Sequence, residues 1–336
     1  MDFHLNRRKF LSGAIAGTIG MSLIDPADAF SAAPLNGKRV GIIGLDTSHS
    51  TAFTKLLNSA ESSSKYKGFK ITAAYPYGSR DIESSASRIP GYIEEVKKFG
   101  VEITDSIDAL LKKVDVVLLE TNDGRLHLEQ VIPVLKAGKR VFIDKPIAAS
   151  LADTIAIFEV SRKYNVPLFS ASSLRYIKGL DGLDKSKVVG ADAYSPAALE
   201  KTHPDLFWYG IHGVETLYTV MGTGCREVTR VHTEGTDIVV GIWEDGRVGT
   251  FRGTRTGKHN YGGTVYTTEG NRTLGPYGGY DPLLEDIITY FETGKVPVSP
   301  EETIEIFTFM EAADESKRQG GKAVRLADVL AKAKKS

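Results

Sequence analysis

The chain is short of cysteine, of charge imbalance and of long apolar runs, and each shortage removes a class of protein. A single cysteine, Cys225, among 336 residues excludes an internal disulfide framework and any cysteine-rich metal site. It reads as a small buried hydrophobe. Basic and acidic residues number 42 each and are interspersed, so there is neither a footprint for nucleic acid nor an electrostatic membrane anchor. No apolar stretch reaches the roughly 20 residues of a spanning helix, so no integral span is expected in the mature chain. Internal repeats and low-complexity segments are also lacking. What remains is length enough for two domains with substantial cores.

The N-terminal residues read as a targeting segment. Asn6-Arg7-Arg8-Lys9-Phe10-Leu11 is a twin-arginine signature, followed by a mild Gly/Ala-rich stretch to Ile24 and a small-x-small site at Ala27-Asp28-Ala29. Residues 1–29 are therefore expected to be a signal peptide and the mature protein periplasmic. The twin-arginine route carries folded proteins, which favours a cofactor acquired before export.

From Lys38 the pattern alternates strand and helix, the mark of a parallel sheet. Strands are expected at Arg39–Ile43, Lys70–Tyr75, Val116–Glu120, Arg140–Asp144 and Val166–Ser170, with a helix after each. Pro133 should bend the helix His127–Ala137, and the polar stretch from Pro76 to Gly91 should be a surface loop. After Tyr176 the runs Glu227–Thr233, Asp237–Trp243, Arg247–Arg252 and Gly263–Thr268, separated by Gly-rich turns, read as an antiparallel sheet. Helices are expected at about Trp208–Met221, Pro282–Phe291 and Pro300–Arg318. The fold class is thus α/β: a Rossmann-type doubly wound parallel sheet (residues 36–172), then an α+β domain with an open, mostly antiparallel sheet (173–336).

The turn after the first strand reads Gly44-Leu45-Asp46-Thr47-Ser48-His49. A dinucleotide turn of the G-x-G-x-x-G type uses its second glycine for close approach of the pyrophosphate and its third for helix packing. Asp46 and His49 stand in those two places. An aspartate there opposes an anion unless it points away or is paired, and Arg125 or Arg80 is the expected partner.

Three segments resemble the Gfo/Idh/MocA oxidoreductase family. They are Asp115–Thr121 running on to His127, Gly138-Lys139-Arg140-Val141-Phe142-Ile143-Asp144-Lys145-Pro146 (with Asp for Glu in an E-K-P signature), and Gly210-Ile211-His212-Gly213-Val214-Glu215 (with Glu for Asp in G-x-H-x-x-D). The C-terminal run Glu311–Ser316, with Gly320 and Val324, also fits. The resemblance implies a nicotinamide cofactor, NAD or NADP, held by the region of Gly44, Asp46, Thr47, Ser48, His49, Ser79, Arg80, Thr121, Asn122, His127, Asp144 and Lys145. It implies Lys145 at the nicotinamide and His212 as general base, a sugar-like substrate, and a homo-oligomer formed through the open sheet.

Several residues depart from the family pattern. The second strand ends in Tyr75-Pro76 rather than the acid that holds a ribose hydroxyl; Ser79 and Arg80 either bind a 2′-phosphate or are ordinary loop residues. Trp208 replaces an aspartate four residues before the histidine, and either stacks on substrate or leaves His203 and Asp205 to substitute. Those two residues read equally as a turn before a helix. Arg175 and Tyr176 sit where an Arg–aromatic pair would meet substrate. Asp46, Asp123, His49 and His127 have the residue types of a divalent-metal site, but no ligand spacing supports one and none is expected. The expected function is periplasmic oxidation of a secondary sugar hydroxyl with a tightly bound nicotinamide cofactor. The alternatives are a non-redox sugar-binding or accessory protein, and a keto-sugar lyase or isomerase.

Overall fold

In the computed structural model, residue 35, residues 37–60 and residues 64–335 are described; the twin-arginine signature falls outside them. The N-terminal half is a six-stranded parallel sheet: β1 Arg39–Ile43, β2 Lys70–Tyr75, β3 Glu102–Ile103, β4 Val116–Leu119, β5 Val141–Ile143 and β6 Leu168–Ser170. Their order in space is β3-β2-β1-β4-β5-β6, the doubly wound order whose crevice opens where β1 meets β4. Apart from the exposed Arg39 that opens β1, the central strands β1, β4 and β5 carry no polar side chain because helices cover both sheet faces. Val40, Ile42, Val116, Leu118 and Phe142 are fully buried.

The second sheet holds β7 Val188–Pro196, β8 Cys225–His232, β9 Thr236–Trp243, β10 Val248–Thr254, β11 Gly262–Thr267, β12 Gly270–Leu274 and β13 Val324–Arg325. Its order is β12-β11-β7-β10-β9-β8-β13, and the one parallel pair is β7 with β10. The helix Ile211–Met221 lies on it. Gly213 permits that approach, since a Cβ there would stand 2.4 Å from Phe251 and 2.9 Å from the Ser195 hydroxyl. His212 is placed by this tight seat. The helix Asp281–Thr293 then returns to the first half: Leu283, Leu284, Ile287, Ile288, Tyr290 and Phe291 share the apolar core of β1, β2, β4, β5 and β6. Burial of each such side chain is worth about 1.5–3 kcal/mol, so this return fixes the residues just before the helix, Tyr277 and Tyr280, over the crevice.

The helix His127–Lys136 carries Pro133 within it. Two local expectations change. The stretch after Pro76 is a surface loop only in part: Tyr77, Arg80 and Asp81 are exposed, but Pro76, Gly78, Ser79 and Ile82 are buried and the helices Glu83–Ala86 and Ile89–Lys97 follow. The helix expected over Trp208–Met221 is two, Asp205–Trp208 and Ile211–Met221, broken at Gly210. Among the described residues no helix is long and apolar enough to cross a membrane.

Candidate active site

The site is built at the carboxyl ends of the parallel strands. Gly44 turns the chain at φ +90°, and a Cβ there would stand 2.5 Å from Thr121 N, so only glycine fits this close crossing of the two strand ends. Leu45 and Gly44 pair with the carbonyls of Pro76 and Tyr75, which extends the sheet past β2. The buried Asp46 carboxylate then accepts from the Ser79 backbone N–H at 2.7 Å and from the Asn122 backbone N–H at 2.9 Å. Burial raises its pKa against those two donors. The expected pairing of Asp46 with Arg125 or Arg80 is not found. Arg125 is bound to Asp123 and Asp81, and Arg80 is exposed. Asp46 thus points under the 76–79 loop, tying it to the loop after β4. The helix Ser48–Asn58 begins beyond it, with Thr47 as N-cap and Ser48 exposed.

At the ends of β4 and β5 stand Glu120 and Asp144. His49 Nδ1 lies 2.8 Å from Asp144 Oδ2 and 4.0 Å from Glu120 Oε2. His49 also packs edge-on against Tyr280, ring centres 4.8 Å apart. Glu120 is fully buried and neither of its carboxylate oxygens has a hydrogen-bond partner. Burial, and then the neighbouring Asp144, push Glu120 well above the ordinary carboxylate range. Asp144 goes the other way: burial opposes its charge, but His49 and Lys145 outweigh it and hold the pKa low. Lys145 follows, through a cis bond to Pro146.

His212 enters from the second half. Its Nδ1 lies 2.7 Å from Ser172 Oγ, which also accepts the Leu174 N–H at 3.1 Å. Burial first, then the charges of Lys145 and His49, hold its pKa well below the ordinary value of 6.5. The Tyr209 ring bridges the halves, 6.0 Å from the Lys145 ammonium and 5.5 Å from the His212 ring. Tyr261, Tyr277 and Tyr280 complete an aromatic wall from His212 to His49, each ring within about 6 Å of the next.

Other expected site residues are engaged elsewhere. Arg175 is ion-paired to Glu215 at 2.9 Å and to Glu302, and the Tyr176 hydroxyl donates to Asp286 at 2.6 Å. Glu215 also accepts the Ser172 N–H, so this network positions the serine that holds His212. Burial lifts the Glu215 pKa to about 7 despite Arg175. Asp205 is bound by Arg230 at 2.8 Å and Lys317 at 2.6 Å, not by His212. His203 packs at a tilt against Trp208 with ring centres 5.0 Å apart and lies 3.6 Å from Asp123. His127 is held between the carbonyls of Thr121 (2.6 Å) and Ile147 (3.1 Å), so it braces two loops. Asn122 bonds Ser85 through its amide, and Ser79 contributes its N–H to Asp46.

These residues fit a dinucleotide in part. The helix N-terminus after Thr47 offers its dipole to a diphosphate, although the His49 and Ser50 N–H groups are already taken by Thr47, and Asp46, turned under, does not oppose one. The ribose end departs: β2 closes on Tyr75-Pro76 with no carboxylate. Sequence reasoning did not single out Glu120, Ser172 or Tyr209. For Glu120 a signal existed, namely an acid closing the apolar run Val-Val-Leu-Leu at a parallel strand's carboxyl end.

Residues 38–172 match the family described as "Oxidoreductase family, NAD-binding Rossmann fold", Gfo/Idh/MocA. An uncharacterised oxidoreductase of Streptococcus pneumoniae is 28% identical over 120 residues, 33% of this chain and 32% of that protein. Inositol 2-dehydrogenase 3 of Saccharopolyspora erythraea is 31% identical over 124 residues, 36% of this chain and 31% of that one. The alignment thus spans about a third of each of these curated relatives. The fold likeness is wider: scyllo-inositol dehydrogenase from Lactobacillus casei, solved with NAD(H) and scyllo-inositol, has a TM-score of 0.66 over 86% of this chain and 99% of its own, at 16% identity. Residues 38–172 therefore match the NAD-binding Rossmann domain of the Gfo/Idh/MocA oxidoreductase family, and 86% of the chain shares the fold of the scyllo-inositol dehydrogenase.

Proposed function

We propose that this protein oxidises a secondary hydroxyl of a cyclic polyol or sugar. The observation that carries this reading is the convergence of Lys145, from the end of β5, with a buried neutral His212, from the second half, on one aromatic-walled cleft. A nicotinamide bound there would accept the hydride from the carbinol carbon. Thr47 and Ser48 at the helix N-terminus would hold its diphosphate, and Lys145 would stand beside its ring, as the family resemblance implies. The chain's own work is proton transfer. With its Nδ1–H donated to Ser172 Oγ, His212 presents a free Nε2 lone pair to take the hydroxyl proton. The Lys145 ammonium stabilises the alkoxide as it forms, and the tyrosine rings supply flat apolar surface for a sugar ring.

The location supports tight binding. A twin-arginine signature directs the folded protein to a compartment without an appreciable nicotinamide pool, so the cofactor would be held from cycle to cycle and re-reduced or re-oxidised in place. Either NAD or NADP is compatible with a β2 end that lacks the ribose acid. Lys258 and His259 lie in the loop just before Tyr261, on a sheet expected to mediate a homo-oligomer.

The test is direct. Protein purified from the cytoplasm is denatured and its supernatant analysed for nicotinamide nucleotide. Release of about one equivalent supports the reading; none, even after incubation with NAD and NADP, overturns it. The missing ribose acid favours one second reading, in which His212 abstracts a proton from a substrate already oxidised, as a keto-sugar lyase or isomerase. That reading predicts turnover with no nucleotide present.

A further inference from the structure

We propose that His49, Glu120 and Asp144 bind one divalent transition-metal cation, of the manganese or zinc type, at the carboxyl ends of β4 and β5. One nitrogen and two carboxylate oxygens from these residues lie within 4.8 Å of one another. Two ligands each about 2.0–2.2 Å from a common ion are at most about 4.4 Å apart. The separations of 2.8 Å and 4.0 Å from His49 fall inside that span, and the widest closes with a few tenths of an ångström of side-chain rotation.

Glu120 provides the independent observation. It is fully buried, both its oxygens lack a hydrogen-bond partner, and Asp144 Oδ1 lacks one too. Buried carboxylates are paired, hydrogen-bonded or coordinated to metal. One ion held by the imidazole and both carboxylates would satisfy these three oxygens together. Imidazole in the set favours manganese or zinc over calcium and magnesium, which take oxygen ligands. The elements also hold the set rigidly: the Asp144 N–H is paired to Leu119 O at 2.9 Å and the Glu120 N–H to Ile43 O at 2.7 Å.

The charge balance gives the cation a role, and this clause alone rests on the proposed oxidation. With Glu120 and Asp144 held as carboxylates by a dication, their charge is balanced, the lysine charge is left uncompensated and the ion can polarise the substrate oxygen as a Lewis acid.

Wild-type protein is stripped with a chelator and titrated by calorimetry with manganese alone and with zinc alone, in the absence of nucleotide. One ion per chain is expected, with a rise in Tm. Glu120→Gln should weaken binding by at least about tenfold. His49→Gln should do the same, and serves if the first variant does not fold. Asp123→Asn, which alters a buried carboxylate paired to Arg125, should leave binding unchanged. No stoichiometric binding by the wild type, or equal binding by wild type, Glu120→Gln and His49→Gln, overturns the proposal. Because no nucleotide is present, either result is independent of the redox reading.

Discussion

Two buried histidines look into the same cleft from opposite halves of the molecule, and their partners set them apart. His49, on the first helix of the parallel sheet, points Nδ1 at the Asp144 carboxylate. His212, on the helix of the second half, points Nδ1 at the Ser172 hydroxyl, with Lys145 near enough to penalise its charge. A carboxylate partner fixes an imidazole to an anion; a hydroxyl partner and a neighbouring ammonium keep an imidazole neutral and ready to accept a proton. In the proposed reading the same side chain would serve as a ligand on one wall and as a base on the other.

The largest expected effect breaks the His212 side. His212→Asn keeps a side chain that can still bond Ser172 but removes the base, and kcat should fall by about 10²–10⁴-fold while bound nucleotide is retained. Activity within a fewfold of wild type would refute the base assignment. Next in size is the buried acid beneath the first turn. Asp46→Ala leaves two buried N–H groups, of Ser79 and Asn122, without an acceptor, which costs about 1–3 kcal/mol. Denaturant unfolding should show that loss, and an unchanged midpoint would mean that the loop tie contributes nothing. Ser172→Ala frees the His212 ring from a bond worth about 1 kcal/mol, so kcat should fall by less than about tenfold with KM nearly unchanged.

The smallest effect is a shift in pH dependence. As the proposed base, His212 would work deprotonated, and its pKa is lowered, so the acid limb of the rate profile should lie below pH 6.5, with activity lost only as pH falls through the depressed value. Lys145→Met removes one of the charges that depress it, and the residual activity should show an acid limb moved to higher pH. A limb that stays in place would mean that Lys145 does not contribute to the His212 pKa.

The sequence made the frame of this comparison legible. β1 and β2 lie where the apolar runs place them, as do the helices Leu151–Tyr164 and Pro300–Arg318, because long periodic segments reflect burial directly. Lys145 and His212 were legible through a family pattern. Strand β7 was not, although it lies mid-sheet: Val-Val-Gly-Ala-Asp-Ala-Tyr-Ser-Pro is small and polar because the helix carrying Gly213 packs closely over it. The partner of Asp46 was missed for a related reason. Backbone N–H groups of two loops supply it, and no residue type announces a backbone donor. Arg175, Tyr176 and Asp205 were expected at the substrate; their partners Glu302, Asp286 and Lys317 come from distant helices that spacing along the chain does not connect.

The most direct measurement follows the hydrogen on the carbinol carbon. Protein carrying NAD or NADP is mixed with a cyclic polyol or sugar alcohol deuterated at its secondary carbons, and the released nucleotide is examined by mass spectrometry. Hydride transfer under the control of His212 and Lys145 predicts one deuterium in the reduced nicotinamide, and its loss in His212→Asn. Deuterium washed into solvent, with the nucleotide unreduced at saturating NAD and NADP, would contradict the account and leave proton abstraction as the chemistry of this cleft.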